Sequence, residues 1–308
     1  MRGLLLAPVF AACLAGADTR LEPPVLGYMF DPQAGAVRAI QGIPGASRLS
    51  DAVDTGGRQF AKAWIAPGKQ YMIAAGVDSK AYLVDLRGNG TLGLSDDALD
   101  HVVWSSGGSA AVLVYAGNRI RVLKISGDVP ETPFAANPAA GTSILAVSDD
   151  AQIVLAVQKT DASTDLMAIE SGSERRLLSA PGLNAAAFLH GTHDAVVSDA
   201  VEAKIYLLRD AAELSIAGRQ DEPSALAIAA DNSRVFVASK TRRTVSTIRL
   251  SDGSASSADC SCQPEVLNAL QGEVFRVTSA IDAPVWLFKP DAVVAPFTFV
   301  PALAVSLE

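Results

Sequence analysis

Apolar and small residues occur along this chain in short runs of about five, separated by polar turns, and from Ala61 onward the arrangement repeats about every 40 residues. Five opening runs superimpose, at residues 61–67, 101–107, 143–149, 185–191 and 224–230. Each leads through a turn built from Gly, Pro, Asp, Asn or Ser into a strongly apolar second run, at 71–76, 111–115, 153–157, 195–198 and 235–239. A third run alternates more clearly, at 80–86, 119–125, 165–169, 204–208 and 244–250. Short runs with frequent turn signals predict strands rather than helices, which need a sustained 3.6-residue period. Four short strands in about 40 residues make one blade of a β-propeller. The expected fold class is therefore all-β, a β-propeller of four-stranded blades.

The ends of the chain set the blade number. Residues 27–31 and 36–41, joined by the turn-forming stretch 32–35, predict an N-terminal hairpin without the opening strand of the other units. At the far end, 274–278 and 284–288 predict opening strands of a last unit, with 297–301 as a third. An open ring would leave strand edges and a sheet face in water, so the hairpin is expected to close the ring by sharing a blade with the C-terminal strands. That count gives six blades. Seven is the alternative, if 43–60 or 250–274 contains further strands. Within the latter, 251–259 reads as a polar loop and 264–271 as a short helix.

The unit from Pro223 to Leu250 resembles the β-propeller repeats of the YVTN and YncE-like group, related in shape to WD40 repeats. Its residues 223–230 stand for the Pro and first strand, Asp231 and Asn232 for the turn, Val235 to Val237 for the Val-Tyr-Val-like strand, and Val245 to Ile248 for the Val-Ser-Val-Ile-like strand. In other units that core becomes Met72, Ile73 and Ala74, or Val112, Leu113 and Val114. The resemblance spans nearly the whole chain after the leader, but it consists of packing and turn residues, so it implies a fold and little chemistry. With no Trp-Asp dipeptide and no Gly-His blade opening in the sequence, exported bacterial propellers are the nearer analogy.

Composition narrows the partners. The chain has 308 residues, 49% hydrophobic, with a formal charge of −8, which gives no attraction to a phosphate backbone; nucleic acid is not expected. Residues 1–17 run from a basic start through an apolar stretch to a small-residue end, the pattern of a cleaved signal peptide, leaving 18–308 as a single propeller domain. Lipid attachment at Cys13 is the less favoured alternative. No later segment has the length of a membrane span. After cleavage Cys260 and Cys262 remain, and they either pair in a very small ring or stand reduced in one loop.

Candidate chemistry is sparse. His190, His193 and Asp194 bring two imidazoles and a carboxylate within one turn and are the candidate metal ligands, although the turn itself accounts for them, since the Glu of a helical zinc motif is missing. Asp149, Asp150, Asp199, Glu202, Asp231 and Asn232 are oxygen ligands of the kind that propeller lactonases gather around a divalent ion, yet most lie in repeated turns where backbone capping explains them. His101 reads as a polar strand end near the ring axis. The Ser105 and Ser171 regions lack the pattern of a nucleophile elbow. Lys240 to Arg243 reads as a solvated hairpin tip, and Trp64, Trp104 and Trp286 as packing residues. No catalytic residue and no cofactor is assigned. The expected function is an exported, monomeric recognition module for a protein or surface ligand, with a divalent-metal-dependent, lactonase-like hydrolase as the alternative.

Overall fold

The computed structural model describes residues 23–303 except 89, 128, 162 and 293. Residues 1–17, expected to be a signal peptide, lie outside the described residues, Cys13 included. The chain forms seven antiparallel sheets arranged as blades. Blade 1 holds β1 (Val25–Asp31), β2 (Ala36–Ile43) and β3 (Ala46–Ala52). Blade 2 holds β4 (Phe60–Ile65), β5 (Tyr71–Gly76), β6 (Ala81–Asp85) and β7 (Thr91–Ser95). Blade 3 holds β8 (Leu99–Trp104), β9 (Ala110–Tyr115), β10 (Ile120–Lys124) and β11 (Glu131–Ala136). Blade 4 holds β12 (Thr142–Val147), β13 (Val154–Lys159), β14 (Thr164–Glu170) and β15 (Ser173–Ala180). Blade 5 holds β16 (Leu183–Phe188), β17 (Ala195–Asp199), β18 (Lys204–Arg209) and β19 (Glu213–Arg219). Blade 6 holds β20 (Ala225–Ile228), β21 (Arg234–Ser239), β22 (Thr244–Arg249) and β23 (Ala255–Asp259). Blade 7 holds β24 (Asn268–Ala269), β25 (Phe275–Arg276), β26 (Val285–Phe288) and β27 (Phe297–Val300).

Seven blades replace the expected six, and the extra strands sit where the alternative placed them. β3 lies in 43–60, and β23 and β24 lie in 250–274. The stretch read as a polar loop is the exposed outer strand β23, whose Ser and Ala side chains need no buried face because an outermost strand packs little. The stretch read as a short helix is extended: β24 pairs with β25 through Asn268 and Arg276. The expected shared blade is also corrected. β1 packs on β4 and borders the central cavity, so it is itself an innermost strand, and blades 1 and 7 are separate sheets. The ring closes instead through an apolar interface in which Leu26, Met29, Ile40 and Leu49 of blade 1 meet Leu270, Val274, Val285 and Leu287 of blade 7. A main-chain bond from Gln271 N to Leu26 O (2.8 Å) ties the seam.

Similar apolar interfaces join the other blades, because successive residues of each second strand face opposite neighbours. In β21, Val235 and Val237 pack toward blade 5, while Phe236 and Ala238 pack toward blade 7. Phe236 is fully buried, with its ring 5.0 Å from Phe275 and 5.8 Å from Phe288. The Cys260–Cys262 disulfide pins the connection between β23 and β24 against this same interface. Five innermost strands, β1, β4, β8, β12 and β16, carry a register shift, near the start in all but β12, a bulge that sharpens the local twist.

Candidate functional site

The turn between the two inner strands has one form in blades 2 to 6. Ala66, Ser105, Ser148, Leu189 and Ala229 each donate their amide to the carbonyl five residues on, closing the hairpin. In every one, the amide three residues on returns to the same residue's carbonyl. A left-handed residue completes the turn: Gly68, Gly108, Ala151, Gly191 or Asn232.

These turns are joined to one another by side chains, and the sequence-predicted metal candidates belong to that belt. Asp149 of blade 4 is its hub. Its two carboxylate oxygens accept Gly107 N of blade 3 (2.9 Å) and Gly191 N of blade 5 (3.0 Å), and its carbonyl accepts Ser109 Oγ (2.8 Å). A Cβ on Gly107 would stand 2.8 Å from that carboxylate, so the close approach requires glycine. His190 places Nδ1 3.9 Å from Asp149, and its backbone N and O are both bound by the Asn232 side chain at 2.8 and 3.0 Å. His193 Nε2 lies 2.9 Å from Asp150 Oδ2. Asp194 accepts Asp210 N at 2.9 Å. The three candidates thus turn to three different partners. Among the described residues no group of three or more His, Cys, Asp or Glu is gathered in metal-binding geometry.

Two carboxylates of the belt, Asp150 and Asp231, have lowered pKa values. Burial raises the Asp150 pKa, but hydrogen bonds from Ser148 and His193 and the Gln152 amide outweigh it, so the net direction is down. Asp231 is lowered by the Ser233 hydroxyl and amide. Tyr71 is raised by burial and then by the Asp149 charge, and its hydroxyl donates to Gly108 O. Asp199 is fully buried, with Oδ1 capping Val201 N and Glu202 N and Oδ2 unpartnered. Glu202 binds Lys204 and Tyr206. Its pKa is lowered, first by Lys204. His101 lies beside Asp100 on β8, and it is not among the residues bordering the tunnel.

One site with room for a ligand is the central tunnel, a cavity of about 570 Å³ bordered by the innermost strands of all seven blades. Its wall is mostly Ala, Val, Leu and Ile, with Trp64 and Trp104 half-buried on it. Trp104 Nε1 donates to Trp64 O (2.9 Å), which fixes one indole against the neighbouring blade. Among the described residues, Lys69 and Arg276 are its charged lining residues, and neither Asp, Glu nor His borders it. The turn belt approaches one end: Gly68 N of blade 2 reaches Ala269 O of blade 7 (3.0 Å), and Ser106 Oγ of blade 3 reaches Phe188 O of blade 5 (2.6 Å).

Neither Lys69 nor Arg276 stood out in the sequence. Arg276 did leave a signal there, as a charge inside the apolar run Val274, Phe275, Val277. The two tunnel tryptophans were read as packing residues, and they pack and border the cavity at once.

No family model matches the chain, and no curated protein matches it. Solved structures do. The chain is similar to a functionally unknown protein from Desulfotomaculum acetoxidans, with a TM-score of 0.58 and 11% identity over 91% of this chain and 100% of that one. It is also similar to the β-propeller domain of Cps50 (Swd1) from Myceliophteria thermophila, with a TM-score of 0.50 and 9% identity over 91% of this chain and 96% of that one. At such identities the likeness is one of fold, a WD40-like β-propeller.

Proposed function

We propose that this chain is an exported propeller of the YVTN/YncE-like type, with residues 1–17 as its leader and 18–308 as one domain, acting as a monomeric, non-catalytic recognition module for a protein or surface ligand. The observation that carries this reading is the tunnel wall, which is largely apolar and aromatic with two cationic side chains and, among the described residues, no carboxylate to hold a divalent ion. Export is supported by the leader pattern and by the Cys260–Cys262 bond, which suits an oxidising compartment. Among the described residues no helix is long and apolar enough to cross a membrane.

Thermal unfolding after chelation, then with added Ca²⁺, Mg²⁺ or Zn²⁺, tests the reading, because an ion that binds only the folded state raises the melting point. The expected result is an unchanged Tm with every ion. A rise of several degrees with one of them would favour the hydrolase instead.

A further inference from the structure

Arg276 is a charge that the ring leaves unmatched. Counted from the hydrogen bond that closes each turn, Ala229 N to Arg234 O in blade 6 and Leu270 N to Val274 O in blade 7, Arg276 takes the place of the buried Phe236. Its neighbours Phe275 and Val277 point into the blade 6–7 interface, so strand alternation turns Arg276 the other way, toward blade 1 and the cavity it borders. Its Nε is buried with no acceptor. Glu265 is the carboxylate whose charge reaches it, but that group is engaged by Ser279 and by Lys240 at 3.1 Å. Burial pushes the guanidinium pKa down to about 10, which leaves it charged at neutral pH. Arg276 is half-buried, and an enclosed guanidinium Nε without an acceptor is costly unless something completes it.

We infer that the tunnel binds a small organic anion, a carboxylate carried on an apolar or aromatic body, with the carboxylate on Arg276 and the body in the bore bordered by Trp64 and Trp104. The inference rests on reading the tunnel as a non-catalytic binding cavity. Its volume falls within the roughly 300–1,000 Å³ of small-molecule clefts. The planar guanidinium fork matches a carboxylate in two parallel hydrogen bonds, whereas a free phosphate would bring more charge than one buried cation neutralises and no apolar surface for the wall.

Fluorescence of the tunnel tryptophans, with Tm as a second readout, follows titration with 4-phenylbutyrate and with decanoate. Controls are 4-phenylbutan-1-ol, which lacks the charge, and inorganic phosphate, which lacks the body. Both carboxylates are expected to bind at least about tenfold more tightly than either control, with Arg276→Met abolishing the preference and Arg276→Lys retaining part of it. Arg276→Gln carries the same test if the Met variant does not fold. Equal binding of the alcohol, equal binding of phosphate, a preference that survives loss of the charge, or no binding of either carboxylate would each overturn the inference. A Tm rise with a divalent ion would instead count against the recognition reading beneath it.

Discussion

The turns of blades 3 to 6 and the seam between blades 7 and 1 solve the same problem, joining neighbouring sheets, with different residues. In the turn belt, polar side chains are satisfied across blade boundaries: Asp149 reaches blades 3 and 5, His193 reaches blade 4, and Asn232 of blade 6 reaches blade 5. At the seam the joint is apolar, the turn of blade 7 is one residue shorter than the others, and Arg276 is left over. Regular repeats can commit polar residues to fixed partners because each partner recurs at the same distance. Where the repeat breaks, Arg276 Nε is left without a partner, which is what the proposed ligand would supply. The His and Asp side chains of the belt are engaged by other turns, and the proposed ligand-binding residue lies in the irregular blade.

This contrast can be broken by substitution. Phe236→Ala empties the apolar interface beside the seam and is expected to cost about 3–5 kcal/mol in denaturant unfolding. Asp149→Ala leaves two turn amides without their acceptor and is expected to cost about 2–4 kcal/mol, with the loss read by the same unfolding curves. Arg276→Met should do the opposite, leaving stability unchanged or raising it by about 1 kcal/mol, since it removes a half-buried guanidinium whose Nε lacks an acceptor. A loss as large as that at Asp149 would erase the distinction between belt and seam.

A smaller effect concerns pH. Burial raises the Asp31 carboxyl, but the Arg38 guanidinium at 2.8 Å and the Ala34 and Gln33 amides outweigh it, so its folded pKa lies below the usual 3.8. A depressed carboxyl contributes stability that is fully present above 3.8 and is lost as pH falls from there through the folded value. Asp31→Asn should accordingly flatten the stability profile between about pH 4 and 2 while lowering stability at pH 7.

Most of the ring was legible because packing repeats. The opening runs at 61–67 and 224–230 recur with the same apolar spacing, and β4 and β20 fall on them. In blade 7 the stretches 274–278, 284–288 and 297–301 carry β25, β26 and β27, but the innermost strand β24 escaped because it is two residues long, too short for an alternating pattern, and follows a Pro and a Cys pair. β1 was seen as a strand yet not as an innermost one, since position in a blade depends on what packs alongside. The candidate ligands were legible as residue types, but whether His193 faces an ion or Asp150 depends on where the next blade's turn arrives.

The most direct test of the central claim, that the break in the repeat frees Arg276 for a ligand, is a crystal structure of the protein grown with 4-phenylbutyrate. The expected result is seven separate blades and the carboxylate within hydrogen-bonding distance of the Arg276 guanidinium. A tunnel empty of ligand with Arg276 paired to Glu265 would contradict it.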